Sequence, residues 1–115
     1  MTEQRARELL ARERERVERA LAALSRREDP GELAHVDQHP ADAATDVFDE
    51  ELEEGLALEL RERLAAIDRA ERRLDEGTYG RSVQSGEPIP DARLEAVPWA
   101  ERTVQEQARY ERGAV

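Results

Sequence analysis

Apolar residues recur along the first 27 positions in one narrow stripe. Leu10, Val17 and Leu24 fall seven apart, with Leu21 on the same face and Leu9 and Ala20 beside it. That is the spacing of a coiled-coil seam. The remaining positions are mostly charged, and Glu8–Arg12 and Glu15–Arg19 are i,i+4 pairs in the favourable order. The pattern predicts a helix from Thr2 to about Arg27. Asp29-Pro30-Gly31 should end it, because Pro cannot continue the hydrogen-bond ladder and Gly accepts the exit geometry.

A second long stripe runs from about Thr45 to Glu76. Leu60, Ile67 and Leu74 keep the seven-residue repeat, supported by Leu52, Leu56 and Leu64. Thr45 is a suitable N-cap, Asp46, Asp49 and Glu50 suit the positive end of the helix dipole, and Gly77 is a natural stop. Neither stripe is stable facing water, so the two helices are expected to pack antiparallel as a hairpin about 40 Å long. The connection DPGELAHVDQHPADAAT is too long for a tight turn and is expected to be a functional or partly ordered tip. Beyond Gly77 the periodicity stops. Pro88, Pro90 and Pro98 with Gly80 and Gly86 indicate a compact irregular segment with one short hairpin, closed by a helix from about Trp99 to Arg112.

The expected class is therefore mainly α: an antiparallel coiled-coil hairpin over 1–76 with its tip around 29–45, then a small finger-like segment and a short C-terminal helix over 77–115. Composition narrows this further. Of the 115 residues, 40% are charged and 3% aromatic, which favours long solvated helices over a thick core. All 18 basic residues are Arg, and the formal net charge is −10. Nonspecific attachment to a phosphate backbone is thereby disfavoured. There is no Cys, so disulfides and thiolate metal sites are excluded. The longest apolar run, Ala20 to Leu24, is far below the ~20 residues needed to span a bilayer, and the first residues lack the apolar core of a signal peptide. A cytoplasmic protein is expected.

The charge is unevenly placed. Residues 29–54 carry ten acids and no Arg, whereas the other 18 acids are matched by the 18 Arg. The net charge belongs entirely to the tip and the start of the second helix. Such a cluster is either an ordinary acid-rich helix start or a negative probe suited to a basic cleft or a bound divalent cation. Concentration at one end of a rod favours the probe.

Catalytic patterns are absent. His35, Asp37 and His39 alternate in HVDQH, but they do not make the HExxH zinc pattern, and Pro40 disfavours helix at His39. Turn-forming polar residues are the simpler reading. No GxSxG elbow or phosphate-binding loop occurs, and an enzyme is not expected. Tyr79 and Trp99, near Arg81 and Arg102, suit either stacking on nucleic acid or the core of a small segment; the core reading is favoured.

The stretch GTYGRSVQSGEPIPDARLEAVPWAERTVQEQ resembles the C-terminal finger of the DksA/TraR family of bacterial RNA polymerase-binding regulators. The family pattern is approximately GxYGxCxxCGxxIxxxRLxAxPxAxxCxxC. Gly77, Tyr79, Gly80, Gly86, Ile89, Arg93, Leu94, Ala96, Pro98 and Ala100 match it in register. The four cysteine positions fall on Ser82, Ser85, Thr103 and Glu106. The resemblance extends through the preceding helix and the HPADAAT turn. It implies a hairpin that enters the polymerase secondary channel and places an acidic tip near the catalytic centre without reading DNA sequence. The family tip is approximately DPxDxA. Asp42 and Ala44 match it, His39 replaces its first acid, and Asp46 lies one turn beyond Asp42.

Structural zinc supplies much of the folding free energy of a small finger, and Ser, Thr and Glu do not replace four thiolates. No zinc and no other cofactor is therefore expected. Tyr79, Val83, Ile89, Leu94, Val97, Trp99 and Val104 should form a small core instead, with Ser82 and Ser85 bonding turn backbone. The resulting expectation is a zinc-free, monomeric transcription regulator that binds RNA polymerase, without membrane or sequence-specific DNA contact. The alternative is a helical adaptor that self-associates through Leu60, Ile67 and Leu74.

Overall fold

The computed structural model of the chain describes residues 1–27 and 43–113. It is mainly helical. Helix α1 spans Glu3–Arg27 and α2 spans Ala43–Glu76. Two short helices follow, α3 at Asp91–Ala96 and α4 at Val104–Glu111. The first two form the hairpin, and the molecule measures 55 × 33 × 20 Å.

Burial along α1 falls on Ala6, Leu10, Glu13, Val17 and Leu24, with Ala20 half-buried between the last two. These steps of four and three are the heptad of a coiled-coil seam. On α2 the inward stripe is Ala57, Leu60, Leu64, Ile67 and Leu74. Leu10 and Ile67 are completely enclosed, and burial of each side chain is worth about 1.5–3 kcal/mol. Leu52 and Leu56 are exposed, contrary to their expected support of the seam. The seven-residue repeat of the seam runs through Ala57 and Leu64 beside Leu60 and Ile67, and leaves these leucines on the adjoining face.

The seam also holds a charge. The Glu13 carboxylate is buried and receives Arg63 Nη1 at 2.9 Å from α2, while Arg16 pairs with it from α1. The Arg63 guanidinium lies 4.4 Å from the Trp99 ring centre, so one side chain joins α1, α2 and the finger. Arg14 reaches across to Asp68 and Glu71, and Arg7 to Asp75 at 2.9 Å. Exposed pairs of this kind are each worth ~0.2–1 kcal/mol.

Helix α2 ends where Gly77 adopts φ +79°. Thr78 N–H donates to Arg73 C=O at 2.8 Å, and Gly77 N–H to Leu74 C=O at 3.3 Å. This is the Schellman closure that glycine allows without a Cβ penalty. The chain then makes one antiparallel bridge, Arg81 with Pro88, in place of the expected hairpin. The closing helix begins at Val104 rather than near Trp99, since Thr103 caps it. Helix α3 was not foreseen; it starts directly after Pro90, with Asp91 in its first turn.

The finger has its own small core of Ile89, Leu94 and Ala100, with Tyr79, Val97 and Met1 packed against it. Tyr79 and Met1 also touch the hairpin cluster of Ala6, Leu10, Ile67, Ala70 and Leu74, as does Trp99. The two cores thus share a boundary. Val83 and Val104 are exposed, contrary to expectation. Val83 sits on the outside of a tight turn, and Val104 opens α4, in which no residue is buried.

Candidate functional site

Two regions carry the sequence-based site residues, at opposite ends of the hairpin. At the tip, His39 and Asp42 lie outside the described residues. Ala44 and Asp46 belong by backbone to the first turn of α2.

At the base, the four positions aligned with cysteines come together as two turns. Ser82 is buried, and its Oγ accepts the amides of Gln84 at 3.1 Å and Ser85 at 3.2 Å. Ser85 Oγ accepts the amide of Glu87 at 3.3 Å. Backbone bonds close the same loop, from Ser82 N–H to Glu87 C=O at 2.8 Å and from Gly86 N–H to Ser82 C=O at 2.9 Å. Gly86 has φ +76°, which a side-chain-bearing residue adopts only with strain. The hydroxyls thus bind turn backbone.

The second pair forms a capping box at the start of α4. Thr103 Oγ1 accepts Glu106 N–H at 3.2 Å, and Glu106 Oε1 accepts Thr103 N–H at 2.9 Å. This reciprocal arrangement satisfies two otherwise unpaired amides. Thr103-x-x-Glu106 is legible in the sequence as that motif. The neighbouring Ser85 and Ser82 hydroxyls, then the Thr103 backbone amide that bonds it at 2.9 Å, hold the pKa of the Glu106 carboxyl down to about 2. The serine turn and the start of α4 thus lie side by side, with Ser85, Thr103 and Glu106 lining one cleft.

This donor set does not fit a C4-type metal centre. Three of the four groups are hydroxyls, which keep their protons at neutral pH and are already engaged with backbone amides. One carboxylate cannot supply the charge of four thiolates. A chelator is expected to leave thermal unfolding unchanged. Thr103→Ala should instead cost about 1 kcal/mol through loss of the cap. The Glu106 contribution has a defined acid limit. Its folded pKa lies below the ordinary 4.5, so the stability it adds is present above that value and is lost as pH falls toward about 2. Melting followed against pH checks this.

The aromatic residues are occupied internally. Tyr79 O–H donates to Pro98 C=O at 2.8 Å, and burial raises its pKa to about 12. Trp99 faces Arg63. Arg102 lies over Tyr110, its guanidinium carbon 3.8 Å from the ring centre. Glu101 clasps finger to hairpin, taking Arg69 through two bonds of 2.9 Å and Arg73 Nη1 at 3.2 Å. Arg5 of α1 holds Glu95 in a similar fork, at 3.3 and 3.2 Å.

Residues 77–112 match the family model of the prokaryotic DksA/TraR C4-type zinc finger. The whole fold is similar to the solved structure of the transcription factor DksA2 from Pseudomonas aeruginosa. That likeness has a TM-score of 0.77 and 25% identity, covering 96% of this chain and 83% of that one. The chain belongs to the DksA/TraR family. It is 40% identical over 90 residues to the RNA polymerase-binding transcription factor DksA of Caulobacter vibrioides, covering 75% of this chain and 63% of that protein. It is 42% identical over 85 residues to general stress protein 16O of Bacillus subtilis, covering 73% of this chain and 52% of that protein. The chain thus spans about half to two thirds of the length of these curated relatives. Within the matched residues, hydroxyl and carboxylate groups stand at the four positions that the resemblance aligns with cysteines.

Proposed function

We propose that this chain is a transcription regulator, not an enzyme, which binds RNA polymerase and acts through the acidic end of its hairpin. In this reading the tip enters the secondary channel, with Asp42, Ala44, Asp46 and His39 nearest the catalytic centre, and no DNA sequence is read. The observation that carries it is the polarity of the rod. Its base is clasped to the finger by Arg–carboxylate pairs, while residues 29–54 hold ten acids and no Arg. A negative end projecting from a charge-balanced base suits a basic passage better than a nucleic-acid surface. Among the described residues no helix is long and apolar enough to cross a membrane. Cytoplasmic action as a monomer accompanies this proposal.

Self-association through Leu60, Ile67 and Leu74 has little surface left to use. Ile67 is fully enclosed and Leu74 is buried within the chain's own cores.

The test is co-elution of the protein with core polymerase from the same source, followed by promoter assays on Asp42→Asn. Charged hydrogen bonds are worth about 1.5–3 kcal/mol, so the variant should lose about tenfold or more of its regulatory effect while still binding. A wild-type protein that neither binds polymerase nor is displaced by a secondary-channel competitor would defeat the proposal.

A further inference from the structure

The distal half of α2 has an unusual surface. Leu52 is 58% exposed and Leu56, one turn on, is 47% exposed. They share a stripe that runs Asp49, Leu52, Leu56, Glu59, Arg63, Ala66 and Ala70, in steps of three and four. Toward the base this stripe is covered. Arg63 lies under Trp99 at 4.4 Å, Ala66 is buried, and Ala70 is enclosed in the cluster against which Trp99 packs. The buried positions of this stripe thus lie at its finger end, where Trp99 packs, and the two leucines are bare at the other.

What surrounds them defines the occupant. From Asp49 to Glu59 the helix carries Asp49, Glu50, Glu51, Glu53, Glu54 and Glu59, and no basic residue. A second copy of the same face would bring like charges together and repel. A partner with an apolar centre and Arg or Lys at its edges matches both features. We propose that Leu52 and Leu56 form an apolar docking stripe for a basic surface of RNA polymerase, continuing along the shaft from the finger. This rests on the polymerase-binding reading above and adds an affinity site on the shaft, separate from the tip.

The experiment compares core-polymerase binding by wild type, Leu52→Gln/Leu56→Gln and Leu58→Gln. Leu58 is 57% exposed but faces away from the stripe, which makes it the control. Loss of two apolar contacts should weaken binding about ten- to a hundredfold in the double variant. Leu58→Gln should stay within about twofold. Raised salt should weaken the wild type through its acidic rim. Wild-type affinity in the double variant overturns the proposal. So does a melting temperature lowered well beyond that of Leu58→Gln, which assigns the leucines to packing within the chain. Concentration-dependent self-association abolished only in the double variant makes the occupant a second copy and also overturns it. If wild type fails to bind polymerase at all, the parent reading falls and this one with it, an outcome distinct from loss confined to the double variant.

Discussion

Ile67→Ala should destabilise the chain by about 3 kcal/mol, within the range of 2–5 typical for aliphatic truncation in a core. The side chain is completely enclosed by α1 and the finger boundary. Two of its cluster neighbours, Ala6 and Ala70, have no atoms beyond Cβ with which to fill the space left behind. A cavity should therefore persist, and the cost includes its surface as well as the lost transfer energy. For a domain whose total stability is about 5–15 kcal/mol this is a large share. Thermal or urea unfolding measures it, with Leu58→Ala on the exposed face expected within about 0.5 kcal/mol of wild type. Equal effects at the two positions would contradict the seam described here.

Much of this hairpin is legible without coordinates because its period is long and its ends are punctuated. Leu10, Val17, Leu24, Ile67 and Leu74 lie where a seven-residue repeat places them, and Gly77 closes α2 through its positive φ. The misreadings have physical causes. Leu52 and Leu56 lie four apart as core residues do, but the seven-residue seam passes through Ala57, one position over. Glu13 has the composition of a surface residue, yet it sits at a seam position because Arg63 and Arg16 reach it. Hydropathy weighs single positions and cannot see a partner fifty residues away.

The finger was less legible for a different reason. Its turns follow Gly and Pro, but which apolar residues point inward depends on closures among residues distant in sequence. Val83 N–H bonds Glu101 C=O at 2.9 Å, and Ile89 N–H bonds Gly80 C=O at 2.7 Å. These fix the orientation of the knuckle and leave the Val83 side chain outside. At the positions aligned with cysteines, the serine hydroxyls bond turn backbone as their residue type predicts, and Thr103 with Glu106 adds a capping box. Thr103 and Glu106 are complementary capping partners, and the serines are turn formers, so each pair is locally self-sufficient. A turn that satisfies its own amides needs less from a metal. The remaining requirement is a means of fastening one pair to the other and the finger to the rod.

Glu101→Ala tests that fastening and should cost about 3 kcal/mol. Glu101 is the meeting point of Arg69 and Arg73, and both it and Arg73 are largely removed from solvent. Hydrogen bonding from Arg69, and the positive charge of Arg69, Arg73 and Arg102, hold its pKa below the ordinary carboxylate value. Truncation leaves the Arg73 guanidinium without its counter-charge, and Arg73 Nη2 already lacks a hydrogen-bond partner. Uncovering one member of a buried pair typically costs about 3–5 kcal/mol. The exposed Arg5–Glu95 fork gives the contrast, and Glu95→Ala should cost about 1 kcal/mol or less. The depressed pKa sets the direction with acid. The contribution of Glu101 is present above its unfolded value near 4.5 and is lost as pH falls through the lower folded value, so wild type and Glu101→Ala should converge in acid. Amide exchange locates the effect. Protection should fall first in the 82–89 turn, because the Val83 amide bonds to the backbone carbonyl of Glu101 itself. If Glu101→Ala and Glu95→Ala cost the same, apolar packing at Trp99 and Tyr79 holds the finger alone, and the Arg–carboxylate clasp is incidental.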